Sequence, residues 1–134
     1  MMDGEDTRIL HDILGRGAGF GHRQHVELAW RYLARHDADQ AADSVAAAIR
    51  QVAEAHGQPA KFHQTITRSW VQCVAVHRER WPADGFEAFL DRNPQLLDSG
   101  LLGHFYSPGL LGSHQARSQW VAPDLHALPV LAGC

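Results

Sequence analysis

The chain has 134 residues, 45% of them hydrophobic and 20% charged, with a net charge of −3 at neutral pH. That length and balance predict one globular domain that needs no disulfide or metal merely to fold, and they exclude a disordered chain. An acidic balance with a single lysine (Lys61) and no Lys/Arg run argues against a nucleic-acid surface.

Residues 1–21 are read as an N-terminal segment of uncertain order. Within it DTRILHDIL predicts a short helix or turn, capped by Asp6 and packing Ile9, Leu10, Ile13 and Leu14. GRGAGFG then interrupts regular structure. No strand precedes it and no Lys-Ser/Thr pair follows, so it reads as a flexible lead-in rather than a phosphate loop.

The first strong helix is predicted over His22 to His36. His22, His25, Ala29, Tyr32, Leu33 and His36 recur at three-four spacing, beside a stripe of Val26, Trp30 and Leu33. Glu27 reads as solvated surface. Asp37 to Asp39 break this helix and cap the next, over Ala38 to His56, which buries Val45, Ala48, Ile49, Val52 and His56. Gly57 supplies a left-handed cap and Pro59 prevents continuation. The third helix is predicted over Ala60 to Arg80, with His63, Ile66, Thr67, Trp70, Cys73, Val74 and His77 on one face. Trp81-Pro82 ends it.

Short pieces follow. DGFEAFLDR predicts a brief helix. Asn93-Pro94 and Ser107-Pro108 each place a capping residue before a proline, and Ser113 is expected to cap a final turn through Trp120. Residues 121–134 read as an extended, proline-punctuated tail. The predicted fold is a single all-α domain over residues 1–134, a three-helix core bundle with several short C-terminal helices packed around it.

Cys73 reads as a small buried hydrophobe, and Cys134 as part of a fraying end. Their spacing supports neither a metal pair nor a disulfide framework. No apolar run is long enough for a membrane span, and the acidic start MMDGEDTR is unlike a basic leader, so a cytoplasmic protein is expected.

The chemistry is carried by histidines in core positions. A buried imidazole needs a hydrogen bond, a charge or a metal. His22 and His25 stand three apart and share a helix surface. If the bundle runs up-down-up, the first and third helices are parallel, which brings His63 to the same end. Three imidazoles with few carboxylates suit a divalent transition metal such as zinc, iron or copper. The zinc-protease pattern H-E-x-x-H is absent, as are the Glu-x-x-His pairs of di-iron bundles.

HRQHVELAW, KFHQTITRSW, NPQLLDSGLLGHFYSP and ARSQWVAPDLHALP resemble segments of a family of small all-α bacterial proteins with H-R-x-H-x-x-x-A-W and K-[FY]-H-x-T-I-T-x-x-W patterns. The resemblance covers about residues 20–129. It groups His22, Arg23, His25 and Trp30 with Lys61, His63, Thr67 and Trp70, and it implies no particular reaction.

The leading expectation is a metal-dependent enzyme acting on a small-molecule substrate. His22, His25 and His63 would be its ligands, Thr67 and Tyr106 its catalytic or orienting hydroxyls, and Arg23 and Trp70 its substrate contacts. The alternative is a non-catalytic ligand- or partner-binding helical module whose histidines are hydrogen-bonded in the core. A metal-free acid–base site at His63 is a third reading. The apolar C-terminal residues pack within the domain or form a homodimer interface.

Overall fold

The three long amphipathic segments fold as helices and pack on one another in a computed structural model that describes residues 2–131. In chain order the α-helices are α1 (Gly4–Leu14), α2 (His22–Leu33), α3 (Ala38–Ala55), α4 (Gln64–Arg80), α5 (Phe86–Arg92), α6 (Pro108–Leu111) and α7 (His114–Ser118). Three 3-10 turns lie at Pro59–Lys61, Pro94–Leu97 and Leu101–His104, and no strand occurs among the described residues. The all-α class and the three-helix core, α2, α3 and α4, agree with the sequence reading. Cys134 lies outside the described residues.

Small residues let the core close. Ala41, Val45 and Ala48 of α3 and Val26, Leu28 and Ala29 of α2 are buried, and they share one apolar cluster with Trp70, Val71 and Val74 of α4. Alanines on the inward face permit a short distance between helix axes, so the alanine-rich α3 packs closely on its neighbours.

Local chemistry moves several predicted boundaries. Asp3, not Asp6, caps α1, accepting the Asp6 N–H at 2.8 Å. Asp6 is buried inside the first turn. α2 ends at Leu33, three residues short of His36. Asp37 caps α3 through the Gln40 N–H, and Gly57 at φ +68° closes the far end, where His56 is exposed rather than buried. Pro59 opens a 3-10 turn instead of a long helix, so α4 begins at Gln64 with His63 as its cap. Asn93 does not cap the turn after it. Its amide donates back to the Phe89 and Trp81 carbonyls.

Two ring contacts fix the mutual direction of α2 and α4. The His22 and Trp70 ring centroids lie 4.3 Å apart, and the Arg78 guanidinium sits 5.2 Å from the Trp30 centroid. Both pairs are offset by the same 48 positions, so the two helices run parallel.

The C-terminal segment crosses α4 and is pinned there by named bonds. The Thr65 hydroxyl donates to the Gln119 carbonyl at 2.9 Å and accepts the Val121 N–H at 3.1 Å. Tyr106 donates to the Val121 carbonyl at 2.7 Å, and Gln72 donates to the Pro129 carbonyl at 3.0 Å.

Candidate functional site

His22 opens α2 and His25 follows one turn later, so both rings lean toward α4. The His22 ring packs on Trp70, and its Nε2 donates to the Leu96 carbonyl at 2.7 Å. Because a carbonyl only accepts, Nε2 is the donor in this bond. The His25 ring is half-buried, but its Nε2 is shielded from solvent and has no hydrogen-bond partner. Burial pushes His25 down to about 4, the neighbouring His22 acts in the same direction, and the Thr67 main chain opposes them. The ring is therefore neutral at physiological pH.

His63 does not join this pair. Its Nδ1 accepts the Ile66 N–H at 3.1 Å and its Nε2 donates to the Leu111 carbonyl at 2.7 Å. Both ring nitrogens are used, one in capping α4 and one in holding α6. The parallel course of α2 and α4 was expected to bring the three together, but it places His22 level with Trp70. Seven residues separate Trp70 from His63, about 10 Å of helix rise. Stagger, not direction, defeats the three-histidine arrangement. Among the described residues only Asp3, Asp6 and His36 bring three ligand atoms within 4.8 Å of one another.

The other predicted site residues are largely engaged. Tyr106 is buried, and its hydroxyl is held by the Val121 carbonyl and by Ser69, which donates to it at 3.2 Å. It braces the C-terminal segment. Arg23 pairs with Glu87 and lies over the Phe86 ring at 5.4 Å, tying α2 to α5. Trp70 is buried against His22 and lines no groove there. Thr67 is buried near the start of α4, beside His25. The Cys73 thiol is pushed up to about 12 by burial, which leaves it unreactive.

Two polar features were missed in the sequence. Glu27 is 6% exposed rather than solvated, and it accepts from Arg16 at 2.8 Å with Arg31 one turn on at 3.7 Å. The Glu27/Arg31 spacing was the available signal. Asp6 is fully buried and binds Arg35 and His36, the latter at 2.9 Å, while Arg35 also reaches Asp3 at 3.2 Å. An arginine already pairs with both carboxylates, so the cluster is an ion-paired clamp holding α1 to the end of α2.

The cavities lie elsewhere. A groove of about 550 Å³ runs between the first half of α3, the middle of α4 and residues 120–130. Ala42, Val71, Leu128 and Pro129 give it an apolar floor, Asp39, Arg68 and Gln72 supply polar groups, and Trp120 forms part of its wall. Trp120 is 45% exposed, an unusual state for the largest side chain. A second cavity of about 270 Å³ lies between the end of α3 and the Pro59–Lys61 turn, with His56 and Lys61 at its edge. Neither cavity is lined by His22, His25 or His63.

No protein-family model, curated protein or solved structure matches this chain. No helix among the described residues is long and apolar enough to cross a membrane.

Proposed function

We propose that the protein is a non-catalytic helical module that binds a small, largely apolar molecule in the groove between α3, α4 and the C-terminal segment. The observation that carries this reading is the groove itself, about 550 Å³ with an apolar floor and an exposed indole. Ligand sites of roughly 300–1,000 Å³ with apolar walls and a few polar groups are the usual form. The binding reading also suits the histidines, since His22 and His63 are held by main-chain groups and sit outside the groove.

A two-dimensional NMR screen with small aromatic compounds tests it. Saturable shifts should cluster at Val71, Gln72 and Trp120, and Trp120→Ala should weaken binding about tenfold, in keeping with the loss of one aromatic contact of roughly 1–1.5 kcal/mol. Shifts that never saturate, or that map away from these residues, sink the proposal.

The shielded, unpartnered Nε2 of His25 favours a second reading. His22 and His25 would hold a divalent transition metal, zinc, iron or copper, for chemistry on a small molecule at its remaining positions. The supporting pattern is that His22 donates its other ring N–H to a main-chain carbonyl, as metal-bound imidazoles do. Near-stoichiometric zinc or copper uptake that is lost in His25→Asn and retained in His63→Asn would support it. No uptake of zinc, copper or ferrous iron would remove it.

A further inference from the structure

We infer that the groove is built for an organic cation, with an ammonium group between Asp39 and the indole of Trp120 and an apolar body lying on Val71 and Leu128. This rests on the binding reading above and adds the sign of the ligand's charge. Two charged residues line the groove, Arg68 and Asp39. Arg68 gives its Nη2 to Asp43 at 2.6 Å, so its charge is offset by a carboxylate one turn along α3. Asp39 is exposed, and its carboxylate makes no ion pair among the described residues. The cap of α3 is Asp37, which takes the Gln40 N–H, so Asp39 is not consumed in that role.

With Asp43 beside the groove counted against Arg68, the carboxylate of Asp39 is the one lining charge without an ion-pair partner among the described residues. The groove's other polar side chain, Gln72, uses its amide to donate to the Pro129 carbonyl, which holds the far wall in place. An aromatic face attracts a cation through its quadrupole, and a carboxylate attracts it through its charge. Trp120 and Asp39 supply one of each on the wall of a single cavity. An anionic ligand would meet the uncompensated carboxylate and find its only cation already paired.

Three probes of similar size decide it: phenylbutylammonium, phenylbutanol and phenylbutyrate, titrated into the 134-residue chain and followed by NMR shifts at groove residues. Phenylbutylammonium should bind roughly three- to tenfold tighter than phenylbutanol, the range expected when an exposed ion pair and a cation–π contact act together. Phenylbutyrate should bind weakest. Asp39→Asn should abolish the preference for the ammonium over the alcohol, and raised salt should narrow the gap. Equal binding of ammonium and alcohol, or an unaltered preference in Asp39→Asn, overturns the cation assignment and leaves the binding reading standing. Saturable binding by none of the three overturns both.

Discussion

His22 packs against Trp70 with 4.3 Å between ring centroids, while His63, seven residues earlier in the sequence, caps the helix that carries Trp70. The two histidines thus do different work. His22 belongs to the packing between α2 and α4, and His63 organises the start of α4 and the placement of α6.

His63→Ala is expected to destabilise the fold by about 1–3 kcal/mol, the sum of a lost cap and a lost hydrogen bond to the Leu111 carbonyl. His63→Asn restores the cap alone and should recover about half. Urea unfolding of the three proteins measures the difference. A neutral His63→Ala would show that α4 needs no side-chain cap.

Protonation of His25 sets a pH dependence. Its folded value of about 4 lies below the ordinary 6.5, so the unfolded chain binds this proton before the folded one does. The contribution is fully present above about pH 6.5 and is lost as pH falls toward 4, roughly 3 kcal/mol over that window at 1.36 kcal/mol per unit. His25→Leu should flatten the stability curve between those pH values. An unchanged slope in that variant would place the dependence on other groups.

The Asp6 clamp predicts where the molecule opens first. Asp6→Ala leaves His36 without its carboxylate and Arg35 with Asp3 alone, so α1 loses the main polar tie to the end of α2. Amide exchange should accelerate across Gly4–Leu14 well before it does in α3 or α4. Uniform acceleration over the whole chain would mean that α1 does not detach as a unit.

Thr65 couples the helical core to the groove. Thr65→Val removes the bonds to Gln119 and Val121, and Tyr106→Phe removes the bond to the Val121 carbonyl, each costing about 1–2 kcal/mol. Both variants should expose residues 119–131 to limited proteolysis and weaken groove binding, since that segment forms one wall. Intact ligand affinity in a protein cleaved at this segment would separate the groove from its wall.

Helical periodicity and capping chemistry were enough to read the all-α class, the three core helices, the Asp37 cap, the Gly57 stop and the Ser107 and Ser113 caps. These features depend on residues within one or two turns of each other. The start of α4 was misplaced because a 3-10 turn after Pro59 and a helix look alike over three residues. Glu27 and Asp6 were misread because their burial depends on arginines supplied by neighbouring elements, Arg16 and Arg31 for one and Arg35 for the other.

The amino-acid sequence by itself determined which segments are helices, which faces of them are apolar, and that His22 and His25 share one face. Only the tertiary structure decided the stagger of α2 against α4, and with it that His63 spends both ring nitrogens on main-chain partners. Stagger is set by how whole side chains interlock across two helices, a sum over contacts distant in sequence that no local spacing encodes. The groove has the same origin: Asp39, Arg68 and Trp120 lie far apart in sequence and meet only because Thr65, Gln72 and Tyr106 hold the C-terminal segment across α4.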